Sequence, residues 1–203
     1  MVIKPILFNT EMVRAILDGR KTCTRRICKD ANEYTVPDMD FYNADRRTYA
    51  VHNFADKEHM EQLSTAERNC PICPGDILYV RETWMDYAGR TMYRADCDKY
   101  RLESLKLAEF SWEPSIHMPK EAARIWLKVT DVRVERLQEM DKMEAVKEGI
   151  DPRLCISLGH ALMKFKKLWN STIKKSDLDR YGWDVSPWVW VIEFERCEKP
   201  EGV

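Results

Sequence analysis

The alternation of apolar and polar residues predicts most of the strands in this chain. Residues 124–134 alternate almost perfectly between the two classes, as a strand with one buried face does. Short apolar runs bounded by turn residues favour buried strands as well. The predicted strands are residues 5–8, 22–28, 77–84, 92–94, 124–134 and 188–194.

Three segments have helical rather than strand spacing. Residues 12, 13, 16 and 17 share one helical face, with Thr10 as the N-cap and Gly19 as the end. Asp141, followed by Glu144, has the form of a capping box and begins a helix that Gly149 ends. A third helix places its apolar residues at positions 158, 162, 165 and 169. Short strands interrupted by a few helices predict an α+β fold built on a small mixed barrel with flanking helices.

Residues 29–69 differ from the rest of the chain because they are polar and have no sustained periodicity. A loop of this length is unusual in a compact domain and is often functional. Its tyrosines and phenylalanines indicate that it packs against something. We therefore predict one domain over residues 1–203, with 29–69 as a long insertion or lid within it.

Composition, net charge and the length of apolar runs restrict the partners and the cellular location that we predict. The chain is 44% apolar and 33% charged with a formal net charge of −1, so a polyanion would need a local basic patch. Its longest apolar run, residues 188–192, is too short to cross a bilayer. The first residues lack the pattern of a secretory signal, and seven cysteines favour reduced thiols. We predict a cytoplasmic protein that binds no membrane and needs no cofactor.

The strongest chemical signal is the segment 19–26, which holds four cations, two hydroxyl groups and a thiol without an acid. Arginines near Lys21 disfavour its charged form, which frees the amine for proton transfer. A threonine hydroxyl needs such a base before it can act as a nucleophile. Lys21 and Thr24 cooperate only if Lys21 precedes the strand, because residues three apart on a strand face opposite sides. The alternative is a basic strand start with Thr24 packed in the sheet.

A second basic run lies at the third predicted helix and just beyond it. Five lysines with no acid among them occur at positions 164, 166, 167, 174 and 175. Such a run is usually a solvated helix face, but it is also typical of RNA-binding surfaces.

Two cysteine pairs raise the question of a zinc site. Cys70 and Cys73 form a C-x-x-C pair, and Cys23 and Cys28 lie close together. Cys23 and Cys28, five apart on a strand, point to opposite faces. We therefore predict free thiols and no bound metal.

Several motifs together resemble the ASCH domain, a PUA-like β-barrel family. They are Gly19-Arg20-Lys21-Thr22 with Thr24, Pro74-Gly75-Asp76, a helix ending in Glu148, and Val191-Ile192-Glu193-Phe194. The segments 81–84 and 114–119 are similar to those of longer ASCH proteins of phages and prophages.

The resemblance implies an RNA-related role. Some small members remove the acetyl group from N4-acetylcytidine with a lysine, a threonine three residues later and a distant glutamate, which correspond to Lys21, Thr24 and Glu148. We expect Thr24 to be the nucleophile and Lys21 the base, while Glu148 orients the lysine or activates water. The alternatives are an RNA-binding module without chemistry and a metal-independent ribonuclease.

The expected partner is a modified nucleoside or RNA. Its candidate binding residues are Arg20, Arg26, Arg81, Glu82 and His117. Arg81 is the candidate for holding a phosphate or carbonyl oxygen, and its neighbour Glu82 faces the other side of the strand. A surface ion pair is the alternative for these two residues, and a packed loop histidine is the alternative for His117.

Overall fold

The computed structural model describes residues 1–29, 31, 35–54 and 62–202. The helices are α1 (Thr10–Leu17), α2 (Lys99–Leu107), α3 (Lys142–Lys147), α4 (Leu158–Thr172) and α5 (Leu178–Tyr181). The strands are β1 (Ile3–Leu7), β2 (Cys23–Ile27), β3 (Thr35–Asn43), β4 (Thr48–Phe54), β5 (Gln62–Asn69), β6 (Ile77–Arg81), β7 (Trp84–Tyr87), β8 (Arg90–Tyr93), β9 (Trp126–Arg136) and β10 (Trp188–Cys197).

The main sheet contains five strands in the order β1-β6-β9-β10-β2. β1 pairs with β6 in parallel, whereas the other neighbours are antiparallel. The sheet is therefore mixed, and helices and strands alternate irregularly along the chain. The predicted α+β class is confirmed.

The two edge strands of this sheet, β1 and β2, approach one another. The Arg26 side chain on β2 donates to the Leu7 carbonyl on β1 at 3.1 Å. The sheet therefore curls far enough to bring its two edges within reach of one arginine side chain.

Apolar side chains cover both faces of the central strand β10. Trp190 and Ile192 belong to one buried cluster with Leu78, Val80 and Leu127. On the opposite face, buried Val189 and Val191 pack with Phe165 and Trp169 of α4. Alternation of side chains along a strand explains this division. The predicted amphipathic helix is thus confirmed as the cover of this second face.

The expectation of a long loop over residues 29–69 is wrong for most of that segment. β3, β4 and β5 form a three-stranded antiparallel sheet, and the remaining positions 30, 32–34 and 55–61 lie outside the described residues. Tyr49 and Val51 are buried in the main core cluster. The sequence pattern did not predict this sheet because its exposed strand positions are polar and irregularly spaced. Whether it acts as a lid stays a prediction.

Smaller differences concern the ends of elements. Asn9, and not Thr10, is the N-cap of α1, since its side chain accepts the amide hydrogen of Met12. The strand predicted over residues 77–84 is two strands, because β6 ends at Arg81 and β7 begins at Trp84. Helix α2 was not predicted, and it buries none of its side chains.

Candidate functional site

The turn between α1 and β2 fixes the position of Lys21. Gly19 adopts a left-handed conformation with φ of 74°, and its amide donates to the Ile16 carbonyl. The Thr22 amide then donates to the Lys147 carbonyl at 2.9 Å, which ties the turn to the end of α3. β2 begins at Cys23, so Lys21 lies in the turn, as cooperation with Thr24 requires.

A buried ion pair joins Lys21 to Glu148. The Lys21 ammonium donates to the Glu148 carboxylate at 2.8 Å, to the Glu148 carbonyl at 2.8 Å and to the Cys23 carbonyl at 2.7 Å. Relative exposure is 3% for Lys21 and 4% for Glu148. A solvated surface glutamate is therefore ruled out at this position. All three ammonium hydrogens have acceptors inside the protein.

Gly149 allows α3 to approach the turn this closely. Its φ is 103°, a conformation that favours glycine. A Cβ atom at this position would lie 3.0 Å from the Ala15 Cβ and 3.4 Å from two carbon atoms of Lys21. The prediction that Gly149 ends the helix is confirmed, and the residue also leaves room for the lysine.

Burial sets the protonation behaviour of the pair. Desolvation lowers the pKa of Lys21, while attraction to Glu148 acts in the opposite direction. The same burial raises the pKa of the neighbouring Cys23 thiol to about 12. Lys21 is therefore the group whose proton is easier to remove, and Cys23 remains a neutral thiol.

Thr24 follows Lys21 by three residues and lies on β2, where its hydroxyl is bonded to a different cation. Its hydroxyl accepts a hydrogen bond from Arg26 at 2.9 Å, and the residue is 1% exposed. Positions 24 and 26 share one face of β2, which explains this contact. The three donors of Lys21 point to other acceptors, so a direct bond from Lys21 to Thr24 is absent from this arrangement.

Arg25 is the residue that the sequence prediction missed. Its buried guanidinium donates to Glu148 at 3.3 Å, to Glu144 at 2.9 Å and to Glu135. It therefore holds the second carboxylate oxygen of Glu148 while Lys21 holds the first. The i, i+4 spacing of Glu144 and Glu148 on a helix could have indicated a cation between them.

These residues border a cavity of about 870 Å³. The volume lies in the range of small-molecule sites in proteins. Polar groups occupy one part of the wall, and aromatic and aliphatic side chains form the rest. The lining includes Phe8, Lys21, Thr24, Arg25, Arg26, Ile27, Lys29, Glu148, Phe165, Trp169, Ile173, Trp190 and Ile192. The three predicted catalytic residues and Arg26 thus share one cavity.

Arg20 does not face this cavity. Its guanidinium donates to the Asp18 carboxylate at 2.8 Å and to the Gly149 carbonyl at 2.8 Å. The side chain therefore supports the turn from outside instead of lining the site.

The structure also places Arg81, Glu82 and His117 away from the cavity. Arg81 donates to the carbonyls of Met118 and Ile116, so it holds the segment around His117. Glu82 is 1% exposed, and both its oxygens bind Arg124. The prediction that both residues lie on one strand is wrong, because β6 ends at Arg81, and the polar groups of both side chains are bound elsewhere. His117 is exposed on a short 3₁₀ turn.

The cysteines divide as strand alternation requires. Cys28 belongs to the apolar cluster that contains Cys70 and Cys73, whereas the Cys23 sulfur lies 4.0 Å from Arg25. None of the seven cysteines, all of which lie within the described residues, forms a disulfide bond. Within the described ranges, no group of three or more metal-ligating side chains is suitably placed to hold an ion.

Helix length bears on the membrane prediction. Of the helices in the described part of the chain, none is long and apolar enough to cross a bilayer.

The chain is similar to solved structures of low sequence identity. No family model and no curated protein sequence matches the chain. Among solved structures, the hypothetical protein PH0355 is 16% identical with a TM-score of 0.40 and covers 97% of this chain and 100% of its own. A protein from Enterococcus faecalis described under the DUF984 family is 11% identical with a TM-score of 0.41 and covers 100% and 84%.

A third similar structure is an ASCH domain from Lactobacillus crispatus. It is 10% identical with a TM-score of 0.43, and it covers 96% of this chain and 79% of its own. The chain is therefore similar to a member of the family that its sequence motifs resemble.

Proposed function

We propose that this protein is an amidohydrolase that removes an N-acyl group from a modified cytidine such as N4-acetylcytidine. The observation that carries the proposal is a buried Lys21–Glu148 pair on the wall of the cavity that also contains Thr24. Placing a lysine–glutamate pair in a nearly water-free position is unfavourable unless the groups are well paired, and such pairs are often functional. The resemblance to ASCH proteins suggests the substrate class.

In the proposed reaction, the Thr24 hydroxyl attacks the acyl carbon while its proton passes to a neutral Lys21 amine. A neutral amine keeps two of its hydrogen bonds and has a lone pair that can turn to Thr24. The carbon–nitrogen bond to cytosine then breaks, and Lys21 returns the proton to the leaving nitrogen. Water attacks the threonyl ester, which releases the carboxylic acid and restores the hydroxyl.

Other residues would support this step without exchanging protons. Glu148 orients the Lys21 amine, and Arg25 orients Glu148. Because Arg81 is engaged elsewhere, Arg26 takes the expected role of donor to the carbonyl oxygen, where negative charge develops. The hydrogen bond that Arg26 donates to the Thr24 hydroxyl supports this role.

A second candidate function is RNA binding without chemistry. Thr24 is 1% exposed and covered by Arg26, and the donors of Lys21 are all engaged. Those two features are consistent with a structural role for Thr24 and Lys21 beneath a basic binding surface. Lys29 lines the cavity, and Lys167, Lys174 and Lys175 are exposed on and after α4.

One experiment separates these functions. The protein is incubated with N4-acetylcytidine, with an RNA oligonucleotide that carries this base, and with the unmodified oligonucleotide. Chromatography measures cytidine, and denaturing gels measure cleavage. Release of cytidine without strand cleavage is expected. Binding without product supports the RNA-binding module, and cleavage of both oligonucleotides supports a ribonuclease.

A further inference from the structure

Backbone hydrogen-bonding groups of both strand edges face the gap between β1 and β2. The Cys28 amide and the Thr22 carbonyl pair with β10, so the even-numbered residues of β2 point their backbone groups toward β10. In an antiparallel strand, the intervening residues then point theirs the other way. The N–H and C=O groups of Arg25 and Ile27 therefore face the gap.

The same reasoning applies to β1. The Phe8 amide donates to the Arg81 carbonyl, so the backbone of Phe8 faces β6. Leu7 faces the other way, as the bond from Arg26 to its carbonyl shows. Pro5 also faces the gap and has no N–H group to leave unpaired, which is usual on an edge strand.

A flat group already occupies this gap. The Arg26 guanidinium donates to the Arg25 carbonyl and the Leu7 carbonyl, each at 3.1 Å, and to the Thr24 hydroxyl at 2.9 Å. Its central carbon lies 5.3 Å from the centre of the Phe8 ring. The protein therefore holds a planar N–H donor between two strand edges and against an aromatic ring.

We propose that a nucleobase with an N–H group on its pairing edge displaces Arg26 from this gap and binds the strand backbone in its place. The proposal rests on the proposed function, because an N-acylated cytosine has such a group at its exocyclic nitrogen. That N–H donates to the carbonyl of Arg25 or Leu7, and a ring acceptor receives the N–H of Arg25 or Ile27. Arg26 is exposed, and its guanidinium turns out of the gap toward the acyl oxygen of the substrate.

Displacement of Arg26 also explains how a covered threonine becomes accessible. The guanidinium is the group that donates to the Thr24 hydroxyl. When the base enters, the acyl carbon can approach that hydroxyl from the gap. Arg26 is thus a specificity-determining residue that admits planar donors and covers Thr24 in their absence.

The test compares binding of free nucleosides by calorimetry. N4-acetylcytidine and cytidine carry the required N–H group, whereas N4,N4-dimethylcytidine lacks it. We expect the dimethyl compound to bind roughly tenfold or more weakly, since a backbone acceptor is left unpaired. Arg26→Ala should bind cytidine roughly tenfold more tightly, because the ligand no longer has to displace the guanidinium.

Arg14→Ala is the matched control. Arg14 also donates to two main-chain carbonyls, those of Ala95 and Cys97, but it lies outside this cavity. Its replacement should leave nucleoside affinity unchanged. Amide chemical shifts give an independent readout: those of Arg25 and Ile27 should move on adding cytidine, and that of Thr24, which pairs with β10, should move less.

The outcomes separate the two proposals. Equal affinity for cytidine and N4,N4-dimethylcytidine, or cytidine binding that leaves the Arg25 and Ile27 amides unmoved, overturns the binding mode. Absence of saturable nucleoside binding overturns it as well. If cytidine binds in the gap but N4-acetylcytidine is not turned over, the proposed amidohydrolase activity is overturned and the proposed binding mode stands.

Discussion

Two clusters of opposite charges in this protein each contain a buried glutamate but differ in their surroundings. In one, Lys21 and Arg25 divide the two oxygens of Glu148 between them beside the large cavity. In the other, Arg124 takes both oxygens of Glu82, binds Asp96 and stacks 3.9 Å from the Tyr93 ring centre.

The difference shows that burial of a charged side chain does not by itself indicate a functional site. Arg124 satisfies both oxygens of Glu82, and this pair joins the segment after β6 to the segment before β9. At Glu148, the cation that could exchange a proton lines the same cavity as a hydroxyl group. A buried charge becomes a candidate for chemistry when a cavity and a reactive partner accompany it.

The largest expected effect is on turnover. Glu148→Gln should lower the rate of deacylation by about 10²–10⁴, since it removes the charge that orients the Lys21 amine. Glu82→Gln should leave turnover of the remaining folded protein near the wild-type value. Rates are measured per mole of folded protein. Equal loss in both variants would mean that the two clusters do not differ in function.

The two arginines should differ less in stability than in activity. Arg25→Met leaves the second oxygen of Glu148 without its donor while Lys21 still binds the first, and Arg124→Met leaves both oxygens of Glu82 without the arginine. Each variant breaks an ion pair of a buried carboxylate, so each should cost about 3–5 kcal/mol of unfolding free energy. Urea denaturation followed by tryptophan fluorescence measures this cost. Only Arg25→Met should also lower kcat of the folded fraction, because Glu148 loses the support of its second oxygen.

A pH series tests the ionisation of Lys21. Its pKa is lowered by burial, so the unfolded chain binds more protons than the native protein between the native pKa and 10.5. Stability that involves this group should therefore rise with pH in that window, by at most about 1.4 kcal/mol per pH unit. Lys21→Met should lack this increase. Parallel stability curves for both proteins would show that Lys21 ionises normally.

The smallest effect concerns the close approach at Gly149. Gly149→Ala forces an alanine to a φ of 103° and brings its Cβ near Ala15 and Lys21, so we expect a loss of about 2–3 kcal/mol and a lower kcat. Gly89→Ala is the control. Gly89 has a φ of 75° with nothing within 4 Å of the added Cβ, so about 1–2 kcal/mol of strain is expected. Equal losses of stability and of kcat in the two variants would show that the contacts of the added Cβ at position 149 have no effect beyond backbone strain.

The sequence predicted the elements that carry strong local signals. Alternation located β9, and the capping box of Asp141 and Glu144 located α3. Gly19 and Gly149 correctly marked the ends of α1 and α3. These features depend on neighbours in the chain, so a single sequence contains them.

The remaining features depend on contacts between distant segments. Arg81 was expected in the site, but its guanidinium binds carbonyls 35 and 37 residues away. Arg25 was missed because its partner Glu135 lies 110 residues away, across β10. Arg47, between β3 and β4, forms an ion pair with Asp76 and so connects the polar sheet of β3 to β5 with the segment before β6. The buried Asp76 carboxylate also accepts a hydrogen bond from the Val2 amide. No local pattern encodes these contacts.

The most direct test of the account is the rate of N4-acetylcytidine hydrolysis by Thr24→Val and Thr24→Ser. Valine keeps the shape of the side chain and removes the nucleophile, whereas serine keeps the hydroxyl group. We predict no detectable cytidine from the folded valine variant and measurable turnover from the serine variant. Wild-type rates from Thr24→Val would contradict the proposal that Thr24, Lys21 and Glu148 form a catalytic site.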